Sequence, residues 1–156
     1  MADVLRIVHL LAAAVWLGGT VALVFAGVPA IRTLEGEARG RTMRELGRRW
    51  RPWGWGSMGV LVLSGLVLAN EHGALHRESL LHTQFGRVVL VKAVLVAILI
   101  GGALLHDFVL GPRLAREIRA GEPQRTRPRL VAVGWTNFAL TVTVPVLGGV
   151  LVSMLD

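Results

Sequence analysis

Four apolar runs, each long enough to cross a lipid bilayer, constrain this chain more than any other feature: Val4–Ile31, Trp53–Asn70, Phe85–Leu110 and Leu130–Leu155. A helix needs about 20 apolar residues to span the hydrocarbon core. In that core only helices and closed barrels satisfy their own backbone hydrogen bonds. Long runs without period-two alternation read as helices. The hydrophobic content of 53% and the mean hydropathy of +0.59 agree with a membrane protein. The first run ends in "GVPA", which is similar to a signal cleavage site, but it is too long for a signal core and three more spans follow.

The expectation is therefore an all-α integral membrane protein, a single transmembrane domain over residues 1–156 folded as an antiparallel up-and-down four-helix bundle with short connections. Pro29, Pro52, Pro112 and Pro128 are expected at helix ends, where the ring is tolerated. Pro145 falls inside the fourth run and predicts a kink. No span-length repeat stands out.

Charge placement sets the orientation. Nearly all the arginine lies in "RTLEGEARGRTMRELGRRWRP" (32–52) and "PRLAREIRAGEPQRTRPR" (112–129), whereas "EHGALHRESLLHT" (71–83) holds only Arg77. Both basic segments fall on one side of a four-span chain. The positive-inside rule places that side in the cytoplasm of a bacterial inner membrane, with both termini outside. This distribution excludes a nucleic-acid partner and points to anionic lipid heads. The absence of cysteine excludes disulfides, thiolate metal sites and iron–sulfur clusters. No catalytic nucleophile or phosphate-binding loop is visible, so an enzyme is not the expectation. Four spans alone are small for a pump with its own energy source, so a pump is not the expectation.

Ionisable groups inside spans are functional candidates, because each must be paired, hydrated or neutral. They are His9, Lys92, His106 and Asp107. At a rise of about 1.5 Å per residue, His9 lies roughly 8–9 Å below the outer end of span one, and Lys92 roughly 10 Å below that of span three. Similar depth suggests one outward-opening pocket, bordered by Trp16 and the outer loop. His106 is about 21 Å further along the axis than Lys92 and belongs to an inner cluster with Asp107, near Thr136 and Asn137. His9, Ala13, Trp16 and Thr20 share a helical face. In the outer loop, His72 and His76 stand at i, i+4. If span two continues as a helix through them, the pair forms a metal site, with His82 further on. Methionine, the other soft ligand for cuprous ion, is sparse: Met58 near the inner end and Met154 near the outer. Trp50, Trp53 and Trp55 read as an interfacial belt.

"HLLAAAVWLGG" has the form His-x6-Trp-x-Gly-Gly, and "TQFGRVVLVKAVLV" leads through aromatic–Gly–Arg into an apolar helix with a lysine. Together they resemble the copper resistance D domain, a bacterial inner-membrane family associated with copper uptake or tolerance. The resemblance implies that His9, Trp16, Gly18, Gly19, Gly86, Arg87 and Lys92 occupy motif positions, with Ser64-Gly65 fitting more loosely. The "LLHDFVLGPRL" segment is more similar to the HemJ-type protoporphyrinogen oxidases, small membrane bundles that carry haem b. That family's arginine- and tyrosine-rich pattern after span one is missing here.

Three readings follow. In the first, copper ion is bound or carried across the inner membrane by His9, with His72 and His76. In the second, haem b is held by His9 or His106 beside Trp16 and Lys92. In the third, the chain is a structural subunit of a larger membrane complex. The expected partners are membrane lipids, with a periplasmic copper-binding protein, a larger membrane complex or further copies in a homo-oligomer as additional candidates.

Overall fold

The computed structural model describes residues 2–153, without the side chains of Ala2, Arg77, Leu151 and Val152. Met154 and the end of the fourth run at Leu155 lie outside the described residues. Within them every regular element is helical: α1 (Ala2–Ala22), α2 (Val28–Arg32), α3 (Gly36–Glu71), α4 (Arg77–His82), α5 (Gln84–Leu104), α6 (Gly111–Arg119) and α7 (Arg127–Ser153). Short π-helical turns, Leu23–Gly27 and Leu105–Leu110, join α1 to α2 and α5 to α6. Four continuous helices, Asp3–Arg32, Gly36–Glu71, Gln84–Arg119 and Arg127–Val150, are long and apolar enough to cross a membrane. The all-α, four-span expectation holds.

The chain divides into two compact units, residues 1–75 and 76–156. Each is a helical hairpin: α1 packs on α3 in the first, and α5 on α7 in the second. Little of either is buried. Ala12, Ile31 and Met58 in the first unit and Leu99 and Leu110 in the second are covered, while Val4, Leu63 and Val146 are more than 60% exposed. A soluble monomer does not tolerate apolar surface on this scale. Lipid tails do.

The basic segment 32–52 differs from its expectation as a loop. From Gly36 onward it is helix, continuous with the second span. The 36 residues of α3 reach about 54 Å, well beyond a hydrocarbon core of about 30 Å. Ion pairs one turn apart support the projecting part: Arg41 with Glu37, and both Arg48 and Arg49 with Glu45. The two arginines hold the Glu45 carboxyl below its ordinary range through hydrogen bonds, Arg49 most strongly. Pro52 lies inside this helix rather than at its end.

Pro29 and Pro112 likewise sit within continuous helical segments, and each follows a π-turn. Proline lacks an N–H and its ring meets the carbonyl four residues back. The backbone widens just before it. The amide of Val28 reaches five residues back to the Leu23 carbonyl, and that of Gly111 to the His106 carbonyl. This shared device exposes a repeat that hydropathy conceals. His9 and Lys92, Gly18-Gly19 and Gly101-Gly102, Phe25 and Phe108, Pro29 and Pro112, and Gly65 and Gly148 are each 83 positions apart. The two hairpins are variations on one plan.

Candidate metal-binding site

In the first hairpin, α1 meets α3 along His9, Ala12, Trp16 and Gly19. The buried alanine is Ala12, not Ala13, and the seam follows three-four spacing. A methyl group built on Gly65 would stand 3.3 Å from His9 Cε1, one on Gly54 3.4 Å from the Trp16 ring, and one on Gly19 would overlap Trp50. Glycines thus make room for the large side chains across the seam, as membrane helices use them. Trp50 is part of this packing, whereas Trp53 is 68% exposed as a belt residue would be. Thr20 donates its hydroxyl to the Trp16 carbonyl at 2.7 Å, so its hydrogen goes to its own helix.

His9 is half-buried, and its Nδ1 lies 2.7 Å from the Ser64 hydroxyl oxygen. Ser64, 4% exposed, also lies within hydrogen-bond reach of the Val60 carbonyl. The roles in the His9–Ser64 bond follow the imidazole tautomer; either way a second group holds and orients the ring, as one does for a metal-ligating imidazole. Ser64 entered the sequence reading only as a loose motif position. Ser57 of the same span is a second hydroxyl beside a glycine, so the sequence alone does not single Ser64 out.

His72 sits where α3 ends. The amides of Gly73 and Ala74 turn back to the carbonyls of Asn70 and Ala69, and Gly73 has φ +66°. This glycine-terminated stop prevents one helix from running through His72 and His76, so the i, i+4 geometry expected of a continued helix does not form. His72 Nδ1–H donates to the Leu68 carbonyl at 2.7 Å, and Nε2 accepts from Arg6 at 3.0 Å. Both ring nitrogens are occupied. His76 precedes α4 as its N-cap and, like His82, is exposed.

In the second hairpin Lys92 is half-buried, and a methyl on Gly148 would stand 3.3 Å from its Nζ. The Lys92–Gly148 juxtaposition repeats that of His9 and Gly65. His106 Nδ1 lies 3.0 Å from Asp107 Oδ1 within the π-turn, and the His106 ring borders Gly134. Asn137 packs over Gly102, while Thr136 is exposed. The Gly86-Arg87 motif has a packing basis. Thr83 caps α5 by accepting from the Gly86 amide at 2.9 Å, and a Cβ on Gly86 would collide with the Ser79 carbonyl. Arg87 is exposed. Among the described residues no three His, Cys, Asp or Glu side chains converge.

The profile of the family Copper resistance protein D matches residues 44–151. That range includes Ser64-Gly65, Gly86-Arg87 and Lys92, and begins after His9 and Trp16. The chain is similar to the copper transport protein CutJ of Bacillus subtilis (strain 168), with 35% identity over 99 residues, which is 62% of this chain and 17% of the relative. It thus spans about a sixth of that protein's length. No solved structure matches the chain. With four membrane-length helices and a profile covering more than half its residues, the chain is a multi-pass membrane protein of the copper resistance protein D family.

Proposed function

We propose that this protein binds copper ion within the membrane through His9 and passes it across the bacterial inner membrane, with both termini outside. The observation that carries the reading is the Ser64 hydroxyl on His9 Nδ1. A second group on one ring nitrogen orients the imidazole, and imidazole is a ligand that suits copper. Family membership and the copper transport role named for the Bacillus relative support the same cargo. A histidine in an apolar span must be hydrogen-bonded or ligated, and the Ser64 bond holds the ring in place for an ion.

The test is competition for copper(I) between the detergent-purified protein and a chromophoric chelator. His9→Ala should abolish the high-affinity component. Ser64→Ala should weaken it by roughly 10- to 100-fold, the scale of an orienting partner, and His82→Ala should leave it unchanged. Equal loss in His9→Ala and His82→Ala would move the site to the loop. A strong Soret band in the purified protein would reassign the imidazole to haem b.

A further inference from the structure

The two basic segments are alike in sequence and unlike in what their arginines touch. In the first, three of the arginines, Arg41, Arg48 and Arg49, are each held by a glutamate of the same helix. In the second, α6 ends at Arg119, and Gly121 at φ +67° turns the chain back toward α7. The amides of Gly121 and Glu122 return to the carbonyls of Ile118 and Glu117. This turn brings Arg113 and Arg116 of α6 to the same cavity as Arg125 of the turn and Arg129 of α7, a space of about 490 Å³ also lined by Glu117 and Glu122.

Glu117 does not neutralise these cations by contact. Its two carboxylate oxygens accept from the amide and the hydroxyl of Thr126, with Arg125 near enough to act on it electrostatically. Thr126 is buried, so the tie pins the turn shut on the inner side of the cavity. Arg113, Arg116 and Arg129 form no ion pair among the described residues. The lining carries four arginines against two glutamates, a net positive charge with its guanidinium groups left for a ligand.

We propose that this cavity is a binding site for a phosphate ester anion, held by Arg113, Arg116 and Arg129. Guanidinium groups bind phosphate oxygens in paired hydrogen bonds, which makes arginine the preferred residue for that chemistry. The cavity lies where the third span ends and the fourth begins, and basic residues next to a span's end attract anionic headgroups. The phosphodiester of an anionic lipid and a free phosphate in solution both have the required chemistry. This site is independent of the copper reading.

The experiment compares the full chain with Arg116→Gln/Arg129→Gln and with Arg39→Gln/Arg44→Gln, which removes the same charge from the first basic segment. One arm measures the retention of phosphatidylglycerol by protein in nanodiscs of phosphatidylglycerol and phosphatidylcholine. The other titrates inorganic phosphate against the detergent-solubilised protein and follows its thermal unfolding. The proposal expects the cavity pair to lower affinity by at least roughly tenfold, the scale of one charge-assisted hydrogen bond lost, and the control pair to change it little. Loss in the lipid arm assigns a lipid head, and loss in the phosphate arm assigns a soluble phosphate. Equal effects of the two pairs, or wild-type binding by the cavity pair in both arms, overturn the site. A helical circular-dichroism spectrum and a monodisperse elution profile equal to wild type show that the cavity pair is folded.

Discussion

At the residue scale, the molecule depends on where glycine lets a large or polar side chain approach. Gly18 and Gly19 are neighbours in one motif with opposite surroundings: a Cβ on Gly18 meets nothing within 4 Å, and one on Gly19 overlaps the Trp50 ring. Gly19→Ala should destabilise the first hairpin by about 1–3 kcal/mol through overpacking. Gly18→Ala should be neutral or stabilising by up to about 1 kcal/mol, because alanine favours helix. Unfolding of the two variants in mixed detergent micelles checks this, and equal destabilisation would refute the assigned seam. His9 was legible in the sequence as an anomaly, a polar group in an apolar run. Its partner was not, since nothing in the sequence ranks Ser64 above the hydroxyls of Thr20 or Ser57 until α1 and α3 are placed side by side.

At the element scale, spans are read from apolar length, and their existence followed directly. Their ends did not. The arginine-rich segment reads as a loop by composition, yet "EARGR" and "ELGRR" carry the one-turn acid–base spacing that stabilises helix, and α3 runs through both. The expected helical His72–His76 pair was undone by a signal also present, the Gly73 that stops α3. The turn between α6 and α7 offers a pH test. Hydrogen bonds from Thr126, side chain first and then amide, lower the pKa of Glu117. A carboxyl with a depressed folded-state pKa adds stability that is present above its unfolded pKa and lost as pH falls through the folded one. Protection of the Thr126 amide from hydrogen exchange should therefore be full at neutral pH and decline on acidification below the ordinary carboxylate range. Glu117→Ala should lose it at every pH. Protection that persists in acid would show that the carboxylate does not hold this turn.

For the whole molecule, the asymmetry of arginine between connections predicts one orientation. Cysteines placed at Gly36 and at Gly121, in a chain with none of its own, should resist impermeant thiol reagents in intact cells and react once the membrane is opened. Labelling of either in intact cells would reverse the topology. The repeat at 83 positions escaped sequence reading because its matching residues are glycines, prolines and a phenylalanine, which carry little hydropathic contrast against apolar spans. It appears once two π-turns are seen to precede two prolines, and it sets His9 and Lys92 at equivalent places in their own hairpins, facing Gly65 and Gly148. One hairpin thus carries an imidazole where the other carries a lysine, and the proposed copper site rests on the imidazole. X-ray absorption at the copper edge of copper(I)-loaded protein tests this most directly. Imidazole scattering should be present in the wild type and absent in His9→Ala, with Lys92→Ala retaining it. A His9→Ala spectrum indistinguishable from wild type would contradict the assignment of copper to His9.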